Sequence, residues 1–85
     1  MCYLTYLISL LLQNKNMSRL KHLGVNIKKY RKLKNLSQNE LAEMCDLSRE
    51  HLACIEIGKE FISLRKLFLI ADLLETPVKN FVDFD

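Results

Sequence analysis

Between Leu36 and Lys59 the chain reads LSQNELAEMCDLSREHLACIEIGK, and this stretch restricts the possible folds more than any other. Ser37 and Ser48 each open a short run of helical periodicity, and only Asp46 and Leu47 join the two runs. Ser37 and Glu40 have the spacing of a capping box, in which the serine oxygen accepts a backbone N–H and the glutamate reaches back. Ser48 is the next N-cap, and Gly58 stops the second run. Helices this short are marginal alone. Something outside them must need a fixed angle between the two.

The flanking sequence is also helical. Leu20, Leu23, Ile27 and Tyr30 recur at three- and four-residue steps, which predicts an amphipathic helix over about 20–34. Lys21, Lys28, Lys29 and Lys32 collect on its polar side. The second helix buries Leu41, Ala42 and Cys45, and the smallness of Ala42 would let another helix approach closely. Asp46 falls at a left-handed position, where glycine is ideal and Asp or Asn is the best tolerated substitute. The third helix, about 49 to 57, sets Leu52, Ile55 and Glu56 on one side. Arg49, Glu50, Ala53 and Cys54 lie toward the other, with His51 at an edge.

Ser63 is expected to cap a fourth helix with a core stripe of Leu64, Leu67, Ile70, Ala71 and Leu74. Phe61 and Ile62 are expected to plug the loop before it. Thr76 and Pro77 give an N-cap followed by a first-turn proline, after which Val78, Phe81 and Val82 dock as a last short helix. With one proline and two glycines in 85 residues, the expected class is all-α. One small domain fits this length. Such a domain buries only roughly 60% of its unfolded surface, so a dimer partner would help it.

The net charge of +3 conceals an asymmetry. From Lys15 to Lys34 there are eight Lys or Arg and no acid, whereas Asn35 to Asp85 holds five bases and ten acids. A basic half attracts phosphate or acidic surfaces, although solvated helix faces are often basic too. Cys2, Cys45 and Cys54 are odd in number and fit a reducing cytoplasm better than a disulfide framework. His51 and Cys54 stand three apart, but without a second ligand pair they make no metal site. No phosphate loop, paired catalytic carboxylates or nucleophile–base arrangement is present, so neither enzymatic activity nor a cofactor is expected.

Residues 1–17 are a separate segment. MCYLTYLISLLL is apolar, lacks the basic start and small-residue cleavage site of a secretory signal, and is shorter than a membrane span. Three readings fit it: an upstream extension preceding a start at Met17, a helical arm that buries itself on a partner, and a weak membrane anchor over residues 1–12. None alters the reading of 18–85.

Leu36–Lys59 resembles the helix-turn-helix of the Cro/phage-repressor (XRE) family of DNA-binding proteins. NIKKYRK is similar to the family's first helix and SLRKLFLIADLLETPVKNF to its fourth and fifth, so the resemblance spans about 65 residues, from Leu20 or Leu23 to Val82. It implies a five-helix domain over 18–85 with the helix-turn-helix at about 37–57. A major groove admits one α-helix, and a second helix across its back holds it at an angle and meets the phosphates.

The resemblance also assigns residues. It places Arg49, Glu50, Ala53 and Cys54 against base edges. It sets Gln38, Asn39, Ser48, His51, Ile57 and Lys59 near the DNA backbone, where contacts position without specifying. It makes Arg31 and Glu56 a buried structural ion pair. Asp46, Ile57 and Cys54 depart from the family's usual residues. The function implied is a sequence-specific double-stranded DNA-binding regulator in the cytoplasm, a repressor acting as a homodimer on a symmetric operator. Its dimer surface is expected from Val78, Phe81, Val82, Phe84 and the N-terminal arm. An antitoxin with a toxin-like protein partner, or a restriction–modification controller protein, is the alternative.

Overall fold

The computed structural model describes residues 19–82, which form five helices and no strand. Helix α1 occupies residues 19–33, followed by α2 (Gln38–Met44), α3 (Arg49–Glu56), α4 (Leu64–Leu73) and α5 (Val78–Val82). Segment 1–17 and Phe84 lie outside the described residues.

Serine hydroxyls start three of these helices. Ser37 Oγ accepts from the Glu40 amide at 3.0 Å, and Glu40 Oε1 accepts from the Ser37 amide at 2.8 Å, completing the capping box. Ser48 accepts from the His51 amide at 3.0 Å and Ser63 from the Lys66 amide at 3.1 Å. Each bond satisfies an amide that the first helical turn leaves without a carbonyl.

The first four helices all stop in one manner. Asn35, Asp46, Gly58 and Glu75 have φ of 59°, 57°, 82° and 51°. The next amide in each case turns back five residues: Leu36 to the Arg31 carbonyl, Leu47 to Ala42, Lys59 to Cys54 and Thr76 to Ala71, at 2.8–3.2 Å. This is the Schellman stop, which pairs carbonyls that a helix end would leave unsatisfied. Glycine serves it only once here. Asn35 and Asp46 are tolerable substitutes, whereas Glu75 carries no such preference and went unnoticed in the sequence.

The core comprises Ile27, Leu41, Ala42, Cys45, Leu52, Ile55, Leu67, Ile70, Ala71, Leu74 and Phe81. Phe81, fully buried, meets the Tyr30 ring edge-on with centroids 5.3 Å apart, and its carbonyl accepts from Asn26 Nδ2 at 2.9 Å. These contacts bind α5 to α1. They also remove Phe81 from the expected dimer surface, because a side chain already enclosed by its own chain has no area left to offer a partner. Two further expectations fail. Leu64 is 63% exposed and Phe61 72% exposed, so neither belongs to the core. Leu64 opens α4 one turn before Leu67 and sits on the outer flank, and the loop is closed from inside by Ile62, which packs against the core.

Candidate nucleic-acid interface

Successive residues of a helix turn by about 100°, so α3 divides into two arcs. Leu52, Ile55 and Glu56 point inward and are buried. Arg49, Ala53, Ile57, Glu50 and Cys54 share the outward arc: Arg49, Glu50 and Ile57 are exposed, and Ala53 and Cys54 are half-buried. His51 flanks this arc and comes within 3.9 Å of the Glu60 carboxylate. A convex, partly charged helix face with small residues at its centre can enter a concave groove closely.

Three devices hold that face rigid. The first is packing across the turn: Leu41, Ala42, Leu52 and Ile55 are each no more than 1% exposed. The second is the ion pair. Arg31 Nε donates to Glu56 Oε2 at 2.7 Å and the second guanidinium nitrogen to Oε1 at 3.1 Å, while the third donates to the Leu36 carbonyl at 2.7 Å. Both residues are buried. The guanidinium fork suits a carboxylate, and the additional bonds offset the cost of removing both charges from water.

Gln38 belongs to the same network. Its Nε2 donates to Glu56 Oε1 at 2.9 Å, joining the first residue of α2 to the last of α3. This amide donor, which the family resemblance directs toward phosphate, is therefore engaged within the protein. Asn39 stays exposed and bonds Glu43 Oε1 at 3.2 Å, and Ser48 and Lys59 stand exposed at the two ends of α3.

The third device involves residues that the sequence reading did not single out. Lys66 of α4 extends its ammonium to the Cys45 carbonyl at 2.6 Å and the Asp46 carbonyl at 3.4 Å. Helix α2 has no basic residue in its own last turn, so α4 supplies the cation that its carbonyl end favours. Gly24 of α1 is buried against the end of α3, where a β-carbon would lie 2.5 Å from the Ile55 carbonyl oxygen and closer still to that of Glu56. The available signal was a glycine inside an otherwise regular amphipathic run, which costs about 1 kcal/mol and so implies close packing.

Two titrating groups are perturbed around the helix pair. The Ser37 backbone amide, then its hydroxyl, hold the Glu40 carboxyl below its ordinary range. Burial pushes the Cys45 thiol up, against a smaller opposing effect of Lys66. Among the described residues no group of three His, Cys, Asp or Glu could hold a metal ion, and no helix is long and apolar enough to cross a membrane.

Two capped helices, a tight turn and an outward face braced from behind define a helix-turn-helix DNA-binding regulator of transcription. The chain belongs to the helix-turn-helix family HTH_3, whose profile matches residues 27–80. It is 36% identical over 56 residues to the control protein C.SmaI of Serratia marcescens, covering 66% of this chain and 67% of that one. The crystal structure of the restriction-modification controller protein C.AhdI from Aeromonas hydrophila superposes with a TM-score of 0.71 at 26% identity, over 75% of this chain and 97% of the other. The clp gene regulator ClgR of Corynebacterium glutamicum gives 0.71 at 25% identity, over 74% of this chain and 67% of that one.

Proposed function

We propose that this chain is a sequence-specific transcriptional repressor that binds a two-fold symmetric operator as a homodimer, with α3 in the major groove. The observation that carries the reading is the outward arc of α3, exposed at Arg49, Glu50 and Ile57 while Leu52, Ile55 and Glu56 fix its back. Arg49 can present its guanidinium to guanine O6 and N7 as a fork, and Glu50 can accept from cytosine N4. Ala53 and Cys54 let the helix lie close to the bases, and Ile57 can touch a thymine methyl. Ser48, His51, Asn39, Gln38 and Lys59 supply contacts to the phosphate backbone, Gln38 through whatever its bond to Glu56 leaves over. One such helix reads only a few base pairs, and two-fold symmetry doubles the site. Its free Cys45 and Cys54 suit the reducing cytoplasm as its place of action.

Within this reading, control of a restriction–modification system is the finer assignment. It is supported by the similarity to the control protein C.SmaI and to the controller protein C.AhdI, nearly all of whose length is covered.

Selection of bound duplexes from a random pool tests the reading, followed by a salt titration of the best sequence. A recovered inverted repeat that also occurs upstream of the chain's own gene supports both levels. Binding without sequence preference, or without steep weakening in salt, would reject the sequence-specific regulator.

A further inference from the structure

Phe61, Leu64 and Phe68 are 72%, 63% and 49% exposed. Leu64 and Phe68 stand four apart on α4 and are therefore neighbours on its surface. Arg65 and Asp72 fall on the same outward arc and are exposed. Each lacks a hydrogen-bond or ion-pair partner for its side chain among the described residues. An apolar pair flanked by one free cation and one free anion stands out on a helix whose Leu67, Ile70 and Ala71 are buried and whose Leu69 and Leu73 pack half-buried against the core.

We propose that a second copy of this chain covers this face, with α4 lying antiparallel to its symmetry mate across a two-fold axis near Phe68. The inference rests on the homodimer of the proposed function and names its surface. Its basis is charge self-complementarity. Arg65 and Asp72 are equidistant from a point beside Phe68, so an antiparallel pairing sets each Arg65 against the mate's Asp72 and brings the two Phe68 rings together. A parallel pairing would oppose like charges, Arg65 to Arg65 and Asp72 to Asp72. An isologous contact requires one patch to be its own complement, and this one is.

The contact is small. A helix of ten residues is about 15 Å long, and pairing it alone buries less than the roughly 800 Å² per partner of a standard interface. Phe61, ahead of the Ser63 cap, extends the apolar area. The free dimer is accordingly weak, and two half-sites on one duplex strengthen it by holding both copies together.

Sedimentation of the full chain tests the interface through R65D, D72R and the double variant R65D/D72R. Circular dichroism establishes that each is folded, as both positions are exposed. Each single variant should weaken association about tenfold, since it turns both symmetric pairs repulsive, and the double variant should restore it. Singles that associate like the unmodified chain, a double variant no better than either single, or an unmodified chain that stays monomeric at high micromolar concentration would each overturn the interface. A dimer with this charge-swap pattern that selects no DNA sequence would uphold the interface and sink only the operator reading.

Discussion

A β-carbon on Gly24 would lie 2.6 Å from the carbonyl carbon of Glu56, so α1 crosses the end of α3 backbone to backbone. Position 24 thus sets how deeply α1 seats against the helix that faces outward. The same helix end carries the Glu56 carboxylate to Arg31, about two turns further along α1, so one glycine and one ion pair hold α1 against the end of α3.

Gly24→Ala should therefore destabilise the fold by about 1–3 kcal/mol, because backbone atoms block the added methyl and must shift. Helix propensity alone would predict a gain of about 1 kcal/mol. Thermal unfolding decides by sign, with Val25→Ala at an exposed neighbour as the control.

Arg31→Leu leaves the buried Glu56 carboxylate with only the Gln38 amide, and a loss of roughly 3–5 kcal/mol is expected. The double change Arg31→Leu with Glu56→Leu removes both charges and should lose less than Arg31→Leu alone. Urea unfolding of the two variants measures the difference. Equal losses would mean that the pair contributes through shape and not through charge.

Asp46→Gly should raise stability by about 0.5–1 kcal/mol. Its φ of 57° favours glycine, and the change also removes a negative charge from the carbonyl end of α2. Binding to a selected duplex should be unchanged, since Lys66 continues to hold the Cys45 carbonyl.

Glu40 gives a pH dependence of definite sign. Its carboxyl is depressed in the folded state by the Ser37 bonds, so its contribution is complete above the unfolded value and disappears as pH falls through the folded one. Glu40→Gln should flatten the acid limb of a melting-temperature profile and leave the neutral plateau nearly level. An unchanged acid limb would show that the capping box does not report there.

Arg49→Ala should relax the selected sequence at one position of each half-site, at a cost of about 1–3 kcal/mol for the preferred base, whereas Lys59→Ala should weaken all sequences alike and lower the salt slope by about 1. Parallel binding curves on matched and mismatched duplexes separate the two roles. Identical behaviour would cancel the division between reading and positioning.

Much of this molecule was legible along the chain because its determinants are local. Ser37, Ser48 and Ser63 start helices by bonding amides three residues away, and the spacing of Leu41, Leu52 and Ile55 marks the inward faces without knowledge of any neighbour. The outward arc of α3 follows from the same periodicity. What the tertiary structure alone decided involves residues that meet across long separations: Lys66 on the end of α2, Gly24 on the end of α3, and Gln38 drawn to Glu56. It also decided that Phe81 is enclosed by its own chain and not offered to a partner, and that Leu64 is left in solvent although its spacing set it in the core stripe. Periodicity tells a side chain which way to point from its own helix axis. Only the arrival of another helix determines whether that direction ends in packed atoms or in water.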